Sequence, residues 1–300
     1  MNKSAEIYSS SKLGAIYAVL AYSAWGLFPL YWKFLTQVPA VELVCHRIVW
    51  SMLLLMGLLW AQHRIAEFRQ LWRSPKTIAA LLLTTTLIAG NWCIYIYGVN
   101  SGQIVETSLG YYINPLVTVL LGSLILKEKL NLVKKIAVLL AAIAVLNFIW
   151  HFGQVPWIAI ALAFSFALYG LFRKLIIVTP IVGLTVETLL ATPIALAYIG
   201  YGSATNTGHF GTSWQVSALL IGCGIVTALP LLWFNNAAKR LQLSTLGFFQ
   251  YLAPSLQLLI GVVLYREPFT AIHAVTFLLI WGAIAIYSIA SMRNRKTLHA

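Results

Sequence analysis

The sequence predicts an all-α integral membrane protein, ten transmembrane helices arranged as two inverted five-helix repeats. Three observations predict it. Hydrophobic residues fill 60% of the 300 positions and charged residues only 9%, where a soluble domain carries roughly a quarter charged. Apolar runs of about 20 residues, the length that crosses a bilayer, recur along the whole chain. Within two of these runs, Pro115, Gly122 and Glu128 have counterparts 139 positions on, at Pro254, Gly261 and Glu267, and a basic residue precedes each glutamate.

The spans are expected at about 13–34, 40–61, 77–98, 106–126, 132–150, 155–173, 181–201, 214–237, 245–265 and 269–290. The first follows a polar, weakly basic leader with no small-residue cleavage site, so no signal peptide is expected; it carries Trp25-Gly26 and Pro29. The second holds Glu42, His46 and Arg47. Before the third, Ile65, Phe68, Leu71 and Trp72 share a helical face away from Arg64, Arg69 and Arg73, and Pro75 stops the run. That pattern reads as a short helix lying on the inner membrane surface, with a solvated loop as the alternative. The third span contains Asn91-Trp92, and the fourth Glu106, Tyr111, Tyr112, Asn114 and Pro115.

The fifth span closes a first repeat, residues 1–150, and the sixth opens a second, 151–300. Tyr169-Gly170 in span six echoes Trp25-Gly26, and Val186-Glu187 in span seven echoes Val41-Glu42. Pro193 and Pro230 interrupt spans seven and eight; Asn235 and Asn236 stand near the inner end of the latter. The ninth is preceded by Phe248, Phe249, Gln250 and Tyr251, with Pro254 just beyond.

With the N-terminus inside, seventeen of the twenty Lys and Arg fall on the inner side, Lys33 and Arg266 outside, and Arg47 within span two. Positive charge retained in the cytoplasm accounts for that split, and both termini are expected there. Span four then runs inward and span nine outward, which makes the halves inverted copies. The net charge of +13 thus reads as topology, not nucleic-acid binding. Cys45, Cys93 and Cys223 sit inside apolar runs and the six histidines are scattered, so no disulfide framework, metal site or cofactor is expected. The expected partners are a small-molecule substrate and membrane lipid; no oligomer is required.

Polar groups inside a bilayer are costly, about 2.5–3.5 kcal/mol for a central charge on insertion scales. At 1.5 Å per residue, His46 lies roughly 9 Å below the start of its span, and Arg47 is as deep. Arg47 is either a structural ion pair with Glu42 or Glu106, or a site facing a central cavity. At an offset of 145 the counterparts of His46 and Arg47 are Ala191 and Thr192, so the fold does not itself need the charge. Glu42, His46 and Glu106 are the candidates for proton coupling, and Glu128 and Glu267 read as ties between helix ends. Pro115 and Pro254, the candidate hinges, would free the carbonyls of Tyr111 and Gln250. The groups around them, Tyr111, Asn114, Gln250 and Tyr251, with Trp25, Asn91 and Tyr169, either line a binding cavity or pack ordinary helices.

The runs Glu42-Leu-Val-Cys-His46-Arg47, Gly90-Asn91-Trp92, Ser108 to Pro115 and Ser244 to Tyr251 closely resemble RarD-type permeases, of the EamA branch of the drug/metabolite transporter superfamily. The resemblance covers nearly the whole chain. It implies a ten-helix, two-repeat transporter of the bacterial inner membrane that works by alternating access, and similar members export amino acids and other metabolites. Family members often have glycine before the glutamates that end spans four and nine; Lys127 and Arg266 stand there here.

The reading that follows is a secondary transporter of small metabolites, amino acids or drug-like compounds, driven by protons or by exchange and not an enzyme. Trp25, Tyr111, Tyr169 and Gln250 would hold the apolar body of a solute, Arg47 a carboxylate, and Glu42 or His46 would pass a proton. The alternative is a membrane sensor or assembly subunit that moves nothing. A lipid enzyme is disfavoured by the absence of aspartate and of clustered histidines.

Overall fold

The computed structural model describes residues 3–125, 132–240 and 249–296. Glu128 with Lys127 and Lys129, and Ser244 to Phe248 of the second motif, lie outside the described residues. All regular structure among those described is helical: α1 (Lys3–Lys33), α2 (Ala40–Ala61), α3 (Ile65–Leu71), α4 (Pro75–Asn100), α5 (Ile104–Ile125), α6 (Leu132–Phe152), α7 (Trp157–Leu175), α8 (Pro180–Ala204), α9 (Trp214–Arg240), α10 (Leu252–Leu259) continued by a π-helical turn (Ile260–Leu264), and α11 (Ala271–Lys296). Each expected span coincides with an apolar helix, the ninth only from Leu252 onward. Six are long and apolar enough to cross a membrane, and Lys135–His151, Trp157–Arg173, Leu252–Leu264 and Ala271–Ile286 are shorter apolar helices.

The helices pack as a bundle in which α2 lies against α8 and α9, α1 against α9 and α10, α7 against α4 and α5, and α6 against α11. Small residues let the backbones approach, as between helices in lipid. A Cβ on Gly224 of α9 would lie 2.7 Å from the Trp50 backbone of α2, and one on Gly110 of α5 2.8 Å from the Ala159 carbonyl of α7. One apolar cluster gathers around Trp32, Trp92 and Tyr95 on α1, α2, α4, α7, α8 and α9. A second fills the space between α5, α6, α7 and α11.

The short helix α3 forms where its periodicity predicts. Its face of Ile65, Phe68 and Leu71 rests on a cluster of Leu55, Leu59, Ile181 and Leu184 from α2 and α8, so it packs on protein. Arg64 clasps Glu67 through two bonds of 2.9 and 2.7 Å and donates at 2.8 Å to Thr179, which precedes α8. Hydrogen bonding to that guanidinium holds the Glu67 carboxyl below the usual carboxylate range.

The two proline kinks differ. Pro115 lies inside α5, but the helix around the second is broken at Gln250–Tyr251, and Pro254 sits in the first turn of α10. There the missing N–H is an orphan in any case, so the expected freeing of the Gln250 carbonyl within a continuous helix is corrected. Pro29, Pro193 and Pro230 do lie inside α1, α8 and α9. After the π turn, Arg266 adopts φ 51°, the left-handed region that glycine enters without cost. The glycine that the resemblance implies before this glutamate would take that conformation without strain.

Candidate functional site

Arg47 lies at the centre of the larger cluster, 4% exposed. It projects from α2 one residue after His46, roughly 100° round the helix. Its guanidinium carbon sits 4.1 Å from the ring centre of Trp92, 5.6 Å from Trp32 and 5.8 Å from Phe28. No described carboxylate pairs with it, which removes the expected ion pair with Glu42 or Glu106 among the described residues. The faces of the rings carry negative charge density and supply part of its compensation. Arg47 Nε, Trp32 Nε1 and the Tyr95 hydroxyl are all buried without a hydrogen-bond partner.

Glu42 is bound elsewhere. It accepts the backbone N–H of His209 at 2.7 Å, and its second oxygen lies 2.8 Å from His209 Nδ1. His209 belongs to the connection between α8 and α9, and its neighbour Phe210 stacks on His46 at 5.2 Å. His46 Nδ1 accepts from the Trp50 indole at 3.3 Å, and its Nε2 is buried without a partner. A loop that follows α8 is thus fastened to one end of α2 by an acid–histidine contact and a ring stack.

Glu106 and Glu267 both sit at helix starts. One oxygen of Glu106 accepts the N–H groups of Ile158 (2.9 Å) and Ala159 (3.3 Å) at the head of α7. The two oxygens of Glu267 accept those of Ile104 (2.9 Å) and Val105 (2.8 Å) at the head of α5. A carboxylate in that position satisfies orphan donors and meets the positive end of the helix dipole. Glu267 is therefore the tie between helix ends that its position predicts.

The remaining expected residues divide into two groups. Asn91 donates to the Leu162 carbonyl (3.1 Å) and Ser165 (2.9 Å), and Asn114 to the Ala163 carbonyl (2.9 Å); both amides bind α4 and α5 to α7. Tyr251 stacks on Tyr112, whose hydroxyl is 2.5 Å from Ser255, within the second cluster and apart from Arg47. Gln250 is half-buried in the turn before α10. By contrast, Trp25, Tyr111 and Tyr169 pack against the Arg47 cluster. Tyr111 meets Tyr95 at 5.7 Å and Phe166 at 6.4 Å, and Phe166 meets Tyr169 at 6.0 Å.

Tyr169 leads to a second buried charge. Its hydroxyl donates to Glu187 at 3.2 Å, Thr84 donates to the same carboxylate at 2.6 Å, and Arg173 Nε lies 3.6 Å away. Between Trp92 and Glu187 runs a crevice, also lined by Ile48, Thr85, Thr188 and Ala191, with a free volume of about 10 Å³, room for one water molecule at most. Sequence reasoning missed His209, Phe210, Trp32, Tyr95 and Arg173. His209-Phe210 left a faint signal, a histidine and an aromatic in an otherwise polar connection.

The model of the EamA-like transporter family matches residues 12–150. An "Uncharacterized transporter" of Vibrio cholerae serotype O1 is 45% identical over 94% of both chains. "Protein RarD" of Escherichia coli K12 is 42% identical over 95% of this chain and 97% of its own. The "Chloramphenicol-sensitive protein RarD" of Pseudomonas aeruginosa is 27% identical over 91% and 92%. One solved crystal structure shares the fold at a TM-score of 0.56 and 15% identity, covering 92% of this chain and 97% of that one.

Proposed function

The chain belongs to the EamA-like transporter family, and from that premise we propose that it is a secondary carrier of small metabolites, amino acids or drug-like compounds. It works by alternating access in the bacterial inner membrane, with both termini in the cytoplasm. The carrying observation is the crevice between Trp92 and Glu187. It lies where α2 and α4 of the first repeat meet α8 of the second, with Arg47 stacked behind Trp92 and Arg173 beside Glu187.

The inverted repeats, residues 1–150 and 151–300, have support in the packing. Exchanging each helix for its counterpart turns the α1–α9 contact into α7–α4, α1–α10 into α7–α5, and α2–α9 into α8–α4, all of which occur. The pairs α2–α8, α5–α10 and α6–α11 map onto themselves. A carrier of this plan opens by rocking one repeat against the other around a fixed site. In this reading the Glu42–His209 contact and the His46–Phe210 stack close the outer side. Protonation of Glu42, with His46 and His209 beside it, is the coupling step; Glu106 serves as the cap of α7.

Proteoliposomes loaded with radiolabelled amino acids, aromatic acids and amphenicols test the proposal. A carrier releases at least one of them faster than empty vesicles do, and Arg47→Gln keeps the fold but loses the flux. Folded protein that releases none of them, or an Arg47→Gln variant with undiminished flux, contradicts it.

A further inference from the structure

We infer that the Arg47 site takes a small organic monoanion, a carboxylate carried on an aromatic or otherwise flat apolar body, in preference to a zwitterionic amino acid or a cation. This rests on the carrier reading and narrows its substrate class. A buried arginine at membrane depth ordinarily meets an acid or backbone carbonyls; this one meets three aromatic rings. Its Nε and the neighbouring Trp32 Nε1 are donors with no acceptor, as is the hydroxyl of Tyr95, which belongs to the same cluster as Trp32 and Trp92. Buried polar groups are almost always satisfied in folded proteins, so a cluster of unmatched donors beside a positive charge describes the complement of an anionic acceptor. The planar guanidinium fits a carboxylate well, and the indole and phenol rings form walls suited to a flat apolar body.

The accounting of acids separates a carboxylate from an amino acid. An ammonium group next to Arg47 would be repelled unless a carboxylate received it. The chain has no aspartate and seven glutamates. Glu6 precedes the membrane-spanning part of α1, and Glu128 lies outside the described residues. The other five are engaged: Glu42 by His209, Glu67 by Arg64, Glu106 by the head of α7, Glu187 by Thr84, Tyr169 and Arg173, and Glu267 by the head of α5. One guanidinium offsets one negative charge, which favours a monoanion over a phosphate dianion in a low-dielectric site.

The test uses the full chain in detergent, with melting temperature read against phenylacetate, benzoate and indole-3-acetate, and against phenylacetamide, phenylalanine and phenethylamine. A ligand that binds the folded state raises the melting temperature by mass action. The acids should raise it and the other three should not. Arg47→Gln should weaken phenylacetate binding roughly 10- to 100-fold, the loss of a charge-assisted bond, and Tyr95→Phe by a few-fold, the loss of a neutral one. Tyr95→Phe removes a single oxygen and keeps the test open should Arg47→Gln fail to fold. Equal shifts from acid and amide, a larger shift from phenylalanine, or no shift from any acid overturns the inference. Proteoliposome flux of labelled phenylacetate separates the two readings. Binding that needs Arg47 without flux overturns the carrier and leaves the anion site; flux of a zwitterion or neutral solute alone does the reverse.

Discussion

Replacing Glu267 and Glu106 by glutamine, one at a time, is a sharp test of the helix-end geometry, because the two carboxylates do similar work in different ways. Glu267 offers one oxygen each to the N–H groups of Ile104 and Val105. Glutamine has a single acceptor oxygen, so its NH2 would face one of those donors and leave it buried and unsatisfied. That costs about 1–3 kcal/mol, and loss of the charge at the α5 dipole adds about 0.3–1 kcal/mol. A total of about 3 kcal/mol follows. Glu106 receives both of its donors, Ile158 and Ala159, on one oxygen. Glutamine can put its carbonyl there, and only the dipole contribution, about 1 kcal/mol at most, is lost. The assay is reversible unfolding by sodium dodecyl sulfate in mixed micelles, with helicity as the signal. Glu267→Gln should be the less stable by about 2 kcal/mol, roughly 30-fold in the unfolding equilibrium. Equal losses, or a larger one for Glu106→Gln, would refute the reasoning.

Other perturbations follow from single contacts. Arg266→Gly relieves a non-glycine residue at φ 51° and should stabilise the protein by about 1 kcal/mol in the same assay. Gly224→Ala would press a methyl group to 2.7 Å from the Trp50 backbone; neither backbone can yield easily, and a loss of about 1–3 kcal/mol is expected. Glu42→Gln keeps an acceptor for the His209 N–H but replaces the carboxylate oxygen at the ring with a neutral amide. Hydrogen exchange over residues 207–213 should quicken about 5-fold, the cost of trading a charged for a neutral bond; unchanged protection would deny the loop its anchor. Since the Glu67 carboxyl is held below its ordinary range by Arg64, its clasp is present above the unfolded pKa of about 4.3 and is lost as pH falls through the lower folded value. Amide protection of α3 should therefore persist at pH 5 and fail only on stronger acidification.

The membrane class and the positions of the apolar helices other than α10 were legible because each depends on a local property. Twenty apolar residues make a helix whatever lies beside them, and the stripe of Ile65, Phe68 and Leu71 specifies α3 within one segment. Partners were not legible, because they join residues far apart in sequence. Glu42 meets His209 across 167 positions and Glu267 meets Ile104 across 163, and no local pattern records which helix ends come together. The amides of Asn91 and Asn114 had the look of pocket lining, yet each finds a backbone carbonyl of α7. In a bilayer a polar side chain that can reach a neighbouring helix serves packing as readily as binding, and only the partner decides. The break at Gln250–Tyr251 was hidden for another reason: proline is compatible with both a mid-helix kink and a first turn.

The offset of 145 residues gives the central charge its meaning. Glu42 corresponds to Glu187, and both are buried and held, one by His209 and the other by Thr84, Tyr169 and Arg173. Arg47 corresponds to Thr192, whose hydroxyl returns to its own helix and donates to the Thr188 carbonyl at 2.7 Å. At this offset, then, α8 carries a neutral residue bonded to its own helix, while α2 carries a cation with no acid to meet it among the described residues. A charge kept for packing would come with its counter-charge, since an uncompensated buried cation weakens the protein that bears it. Removing that charge should therefore leave the bundle no less stable, and any effect on solute binding at the aromatic cluster is then owed to Arg47 itself.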